Sequence, residues 1–332
     1  MADQRAIQIG YKLSSEELSA SDLVRFAQAA EQHGFSFALI SDHYHPWTDR
    51  EGQSPFVWSV IGAISQVTEH LVIGTGVTCP ALRIHPAIVA QAAATAASLM
   101  PGRFFLGVGT GENLNEHILG TAWPEVEIRQ ERLEEAIEVI RLLWQGGQQS
   151  HHGEYFVLEN ARIYSLPQKT PPLYVAAAGP KSTDLAVRSG DGLIGTTPDR
   201  EMLQQFQQEA GGDKPCYGEL TVCYDEDEQR AIKTAKEIWP IAGLPSPLLQ
   251  ELRLPSHFEK AGQLVSPEKL LETVSCGPDP EKHLKAIREY ADAGYDHICV
   301  HQIGPKQEEF MEFYEREIFP KLNVGGEYRR AA

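Results

Sequence analysis

The sequence is poor in the features that would mark a disulfide-stapled, membrane-bound or nucleic-acid-binding protein. Its five cysteines, Cys79, Cys216, Cys223, Cys276 and Cys299, contain no C-x-x-C pair. An odd number scattered through 332 residues does not read as a disulfide framework, and a reducing, cytoplasmic setting is expected. Nowhere do about 18 apolar residues run together, so no membrane-spanning helix is expected. The segment Ile7-Gln8-Ile9-Gly10-Tyr11 reads as a strand and lacks the basic-then-apolar pattern of an export signal. Basic side chains are outnumbered by acidic ones, 29 to 46, and the formal charge of −17 repels nucleic acid and anionic lipid. No internal repeat and no low-complexity stretch stands out. Gly10-Tyr11-Lys12-Leu13 offers no G-x-G-x-x-G fingerprint after the first strand-like run, which argues against a doubly wound dinucleotide fold.

What is present is an alternation of short apolar runs with amphipathic helical stretches along nearly the whole chain, the pattern of parallel βα units. Strands are expected at Ile7 to Tyr11, Phe37 to Ser41, Leu71 to Gly74, Arg103 to Gly107, Leu173 to Ala176, Gly192 to Thr196, Glu219 to Tyr224 and His297 to His301. Ser19 with Asp22 three residues on opens the first helix, Gly34 closes it, and Leu23, Phe26, Ala27 and Ala30 share its inner face. The longest helical pattern, Ile128 to Trp144, sets Leu133, Ile137, Ile140 and Trp144 on one stripe. The length suits one (β/α)8 TIM barrel over residues 1–332. Two segments fall outside the count, a hairpin at 151–164 and a Pro- and Leu-rich lid-like insertion at 240–274, and residues 325–332 read as a frayed tail.

In such a barrel the polar residues just past each strand are candidates for chemistry. Ser41-Asp42-His43-Tyr44-His45-Pro46-Trp47 puts an acid, two imidazoles and two large aromatics after the second strand. Asp42 and His43 could simply hydrogen-bond the loop; His43 could act as a general acid or base with Trp47 walling out water; or His43 and His45, with His301, could bind a metal. After the fourth strand, Gly107-Val108-Gly109-Thr110-Gly111-Glu112-Asn113-Leu114-Asn115 combines close-approach glycines with one acid, Glu112, which could equally open a helix. Ala176-Ala177-Ala178-Gly179-Pro180-Lys181-Ser182 could seat an anion at a helix start or be a tight turn. In Gly74-Thr75-Gly76-Val77-Thr78-Cys79-Pro80, Cys79 reads as a small buried residue rather than a nucleophile. His151 and His152 are expected to be solvated surface.

Taken together, Gly10-Tyr11-Lys12 near Glu16, the Ser41 to Trp47 loop, Pro86-Ala87-Ile88-Val89-Ala90-Gln91, Gly107 to Glu116 and Gly190-Asp191-Gly192 resemble the luciferase-like superfamily, and within it the coenzyme F420-dependent dehydrogenases. The resemblance covers Ile7 to about Leu322. It implies a luciferase-like TIM barrel that forms a homodimer, with a small-molecule alcohol, sugar or carbonyl as substrate. By the same resemblance Asp42, Thr110, Gly111, Asn115, Ala178, Gly179, Lys181 and Ser182 would line the deazaflavin. His43, Trp47 and Glu112 would carry the reaction with Glu16 nearby. A non-proline cis peptide that the family has behind the coenzyme ring would fall at Gly76-Val77, placing both residues against the deazaflavin, and Cys79 would stand near the coenzyme where the sugar-phosphate branch has threonine.

Where that branch clamps a phosphate with two lysines and an arginine, this chain has Asp199, Leu249 and Thr273, which would not hold a dianion. Thr196 keeps a hydroxyl at a substrate-facing position. The reading is therefore an F420-dependent dehydrogenase of a secondary alcohol or unphosphorylated sugar, not of glucose 6-phosphate. The alternatives are an FMN-dependent monooxygenase on the same barrel and a metal-dependent hydrolase.

Overall fold

A computed structural model describes residues 7–322, so the tail expected at 325–332 lies outside the described residues. Eight parallel strands close a barrel in chain order: Gln8–Leu13, Phe37–Ile40, Val72–Thr75, Phe104–Val108, Leu173–Ala176, Gly192–Gly195, Cys216–Cys223 and His297–Gln302. The last strand pairs with the first, Gln8 beside His297, so no barrel edge is left open.

Helices cover the outside because their apolar stripes need the outward faces of the strands. Ser19 Oγ accepts the amide of Asp22 and caps the helix Ala20–Gln32, which buries Leu23, Phe26, Ala27 and Ala30 as its spacing predicts. The helix Val126–Trp144 buries Leu133, Ile137, Ile140 and Trp144, and the Trp144 indole donates to the Ala90 carbonyl at 3.0 Å. After the eighth strand comes the helix Gln307–Phe313, which the sequence pattern did not announce, continued by a π-helical turn, Tyr314–Ile318, and a 3-10 turn, Phe319–Lys321.

Some boundaries differ from expectation. The third and fourth strands begin one residue later, and the seventh starts at Cys216, where it pairs with Leu193. The hairpin runs from Gln149–His152 to Val157–Ala161. His151 is not solvated surface: its Nε2 lies 3.0 Å from Glu135, whose carboxylate also takes the amides of Glu154, Tyr155 and Phe156.

The insertion at 240–274 folds into a 3-10 turn, Pro240–Gly243, and three short helices, Ser246–Glu251, Pro255–Gly262 and Pro267–Leu271. Each has proline in its first turn, where the missing amide costs no hydrogen bond. A further short strand, Val274–Cys276, adds to the upper end of the seventh, beyond the reach of the sixth. Glu251 ties the insertion to the body, accepting from the Trp123 indole at 3.2 Å and from Arg129 at 3.3 Å. Among the described residues no helix is long and apolar enough to cross a membrane.

Candidate active site

Strand alternation decides which side chains enter the barrel. At its lower end Phe37, Phe105, Tyr174, Tyr217 and His297 pack ring against ring. Toward the C-terminal mouth the two arcs of the wall diverge. The third to fifth strands turn inward the small residues Gly76, Gly107, Gly109, Ala176 and Ala178, and beyond the cis bond Val77 packs against the same inner cluster. The seventh, eighth, first and second strands turn inward Glu219, His301, Lys12 and Ser41.

On the polar arc Lys12 is buried, its ammonium 2.7 Å from Glu219 and 3.0 Å from the Gly76 carbonyl. Burial would lower the Lys12 pKa, but Glu219 and Glu16 outweigh it and hold the ammonium above its ordinary value. Glu16 is buried beside it and accepts from the hydroxyls of Ser14 and Ser41. Its Oε1 lies 3.3 Å from His43 Nε2. Burial would raise the Glu16 pKa, but His43, Lys12 and the Ser41 hydroxyl hold it below the usual carboxylate value. His43 Nδ1 faces the His45 carbonyl at 3.2 Å; a carbonyl only accepts, so Nδ1 carries a hydrogen and Nε2 is the exchangeable position. Trp47 stands 5.0 Å from the His43 ring, and Phe258 of the insertion meets Trp47 edge-on at 5.2 Å.

The loop carrying His43 is held from beneath. Asp42 is buried, taking the Thr78 hydroxyl at 2.7 Å and the Arg83 guanidinium at 2.9 Å. Arg83 also gives its amide to Glu116 at 2.6 Å. Burial raises Glu116 to about 7 against the pull of Arg83. Asn115 joins two loops: its oxygen takes the amides of Tyr44 and His45 at 2.8 and 3.2 Å, and its nitrogen gives to Glu112 at 3.2 Å. Gly111 has φ +79°, and a Cβ there would stand 2.9 Å from Cys79 Sγ, so a side chain would be both strained and crowded. Cys79 is buried and its thiol is pushed well above the ordinary value by burial, then by Glu116. The non-proline cis peptide lies at Gly76-Val77, and the chain re-pairs at Thr78 with the fourth strand.

Other expected site residues sit apart from this cluster. The helix Pro180–Ser189 is capped by its own Ser182, whose hydroxyl takes the amides of Ala178 and Gly179. Lys181 is exposed and paired with Glu127. Thr196 is exposed, and its carbonyl accepts from Tyr290. Asp199 caps the helix Arg200–Glu209, Leu249 packs with the cluster of Trp47 and Phe258, and the Thr273 hydroxyl donates to the carbonyls of Ala242 and Leu270. His45 turns away from His43, its Nδ1 on the Leu114 carbonyl at 3.0 Å and its ring stacked on His117. Among the described residues no group of three His, Cys, Asp or Glu side chains converges to hold a metal ion.

Sequence reasoning missed the Lys12–Glu219 pair and Arg83. Lys12 could have been found by alternation, since it shares the inward face with Gly10. Arg83 carries no local signal: it belongs to an irregular stretch and acts on Asp42, 41 residues away.

A family model described as luciferase-like monooxygenase matches residues 6–297. The chain is 35% identical over 330 residues to the F420-dependent glucose-6-phosphate dehydrogenase of Nakamurella multipartita, covering 96% of this chain and 97% of that one. It is 34% identical to the protein of the same name from Mycobacterium tuberculosis, covering 95% and 98%. Among solved structures it resembles an F420-dependent secondary alcohol dehydrogenase in complex with an F420-acetone adduct, with a TM-score of 0.88, 32% identity and coverage of 97% and 100%. The F420-dependent tetrahydromethanopterin reductase of Methanopyrus kandleri, at 23% identity, shares the fold with a TM-score of 0.78 over 96% and 99%.

Proposed function

The chain belongs to the luciferase-like monooxygenase family and, within it, to the coenzyme F420-dependent oxidoreductases, and from that premise we propose that it transfers a hydride between F420 and the CH–OH carbon of a secondary alcohol or unphosphorylated sugar. The observation that carries the reading is the two-sided mouth: a wall of glycine and alanine faces a buried His43–Glu16 pair. The small residues fit a flat ring, because backbone can approach a planar ligand where no side chain intervenes. Gly179, where a Cβ would meet nothing within 4 Å, leaves room at the head of the fifth strand. Thr110, Gly111, Ala178, Gly179, Lys181 and Ser182 are the residues proposed to hold the coenzyme, with Asp42, Asn115 and Cys79 supporting their loops from behind. When bound, F420 supplies a ring carbon that takes up or returns the hydride.

The protein's part is proton handling and exclusion of water. His43 Nε2 accepts the hydroxyl proton of the alcohol, and the Glu16 carboxylate 3.3 Å away stabilises the resulting imidazolium. Trp47 and Phe258 keep bulk water off that pair. Glu112, oriented by Asn115, exchanges the proton on the coenzyme side.

Three features speak against a phosphorylated sugar. Asp199 is a helix cap, Leu249 lies in an apolar cluster, and the Thr273 hydroxyl is spent on backbone carbonyls. The cations Lys12 and Arg83 are already matched by carboxylates. The reading is tested by fluorescence titration of the protein with F420 beside FMN, followed by an absorbance screen for F420 reduction with secondary alcohols, free sugars and glucose 6-phosphate. Tight binding of F420 and reduction by a neutral alcohol or sugar are expected. Binding of FMN alone, or reduction by glucose 6-phosphate alone, overturns the reading.

A further inference from the structure

His301 is the last inward-facing residue of the eighth strand, following His297 and Cys299 on the same face. It is 1% exposed, and neither ring nitrogen has a hydrogen-bond partner among the described residues. Leaving a buried polar atom unpaired is costly, and an orphaned imidazole beside the candidate site points to a ligand that completes it. The ring lies within the field of Glu219, Lys12 and Glu16, the last being the carboxylate that touches His43. Glu16 thus contacts His43 and acts on His301 through its charge.

Above them the aromatic side chains form a continuous roof. Trp239 meets His301 edge-on at 4.7 Å, Trp47 meets Trp239 at 6.4 Å, and Trp47 meets His43 at 5.0 Å. Trp239 ends the helix Glu228–Ile238 and leads directly into the insertion. Access to His301 would require this end of the insertion to lift.

We propose that His301 is a specificity-determining residue that hydrogen-bonds a second, uncharged oxygen of the substrate, so that the preferred substrate is a vicinal diol or unphosphorylated sugar rather than a simple secondary alcohol. The inference rests on the alcohol-dehydrogenase reading above and narrows its substrate class. A neutral imidazole offers one donor and one acceptor, which matches a hydroxyl group; a phosphate or carboxylate only accepts. Burial holds the ring in that neutral form by lowering its pKa to about 4. His43 handles the hydroxyl that reacts, and His301 the one beside it.

The test compares propane-1,2-diol with propan-2-ol, which differ by one hydroxyl, in the F420-loaded protein and in His301→Gln and His301→Leu variants. The wild type should prefer the diol in kcat/KM by about tenfold or more, the ratio expected for one buried hydrogen bond. His301→Leu should bring the two alcohols within about threefold, and His301→Gln, which keeps a donor and an acceptor, should restore much of the preference. Independently of turnover, the imidazole 15N resonances of His301, assigned by their loss in His301→Gln, should move on addition of the diol and not of propan-2-ol. Oxidation of both alcohols with a ratio unchanged in His301→Leu, or resonances that ignore the diol, overturns the inference. Failure of every alcohol to reduce F420 while the diol still moves those resonances overturns the dehydrogenase reading and leaves His301 as a diol-binding residue.

Discussion

The two arcs of the barrel mouth are built on opposite principles. The arc of the third to fifth strands is made of backbone, with Gly76, Gly107, Gly109, Ala176 and Ala178 facing inward. The arc of the seventh, eighth, first and second strands is made of polar side chains: Lys12 is paired with Glu219, Ser41 donates to Glu16, and His301 is left without a partner among the described residues. A wall of small residues fits a flat ligand by shape. A wall of buried charges fixes reactivity, and its energies depend on pH.

Substitutions separate the two. His43→Ala, on the polar arc, should have the largest effect, lowering turnover by about 10³-fold within the 10²–10⁴ range of general acid–base catalysis. Its F420 affinity by fluorescence titration should stay within about threefold, since the proposed ring seat is on the other arc. A parallel loss of F420 binding would erase the distinction between the arcs.

Gly107→Ala probes the small-residue arc. A Cβ there would stand 2.7 Å from the Ile194 side chain and 2.0 Å from the Thr75 carbonyl oxygen, a backbone contact that cannot yield cheaply. Thermal or urea unfolding should show a loss of about 3 kcal/mol or more, with turnover of the folded fraction falling as well. A neutral result would mean the third and fourth strands can separate there.

Glu116→Gln should change how stability depends on pH. The folded-state pKa of about 7 lies above the ordinary 4.5, so the folded protein holds a proton that the unfolded chain releases first. Wild-type stability is therefore favoured below pH 4.5 and declines as pH rises to about 7, by up to about 3 kcal/mol. The amide variant should lose that slope in melting temperatures measured between pH 5 and 8. A slope unchanged in the variant would assign it to other carboxyls.

Lys181→Ala should have the smallest effect on stability. Its pair with Glu127 is exposed, and such pairs contribute about 0–1 kcal/mol, so the melting temperature should hardly move. If Lys181 also meets an anionic group of F420, the titration should weaken severalfold at low salt and less at high salt.

The sequence alone was enough for the architecture and for the loops that form the candidate site. The barrel follows from eight short apolar runs separated by amphipathic stretches, because hydrophobic period and capping are local properties of the chain. His43, Trp47, Glu112 and the cis bond at Gly76-Val77 were legible from loop composition and family resemblance, since each belongs to a contiguous motif. Closure of the barrel decided the rest. Lys12 and Glu219 are 207 residues apart and meet because the first and seventh strands both flank the eighth; Arg83 meets Asp42 and Glu116 because two loops fold over the same strand ends. His301 looked like a third metal ligand in the sequence, yet its burial away from any partner emerged only with the roof of Trp239 and Trp47 in place. Spacing along a chain fixes which face a residue takes, but shear and closure fix which distant face it meets, and the interaction energies of buried charges depend on that second choice.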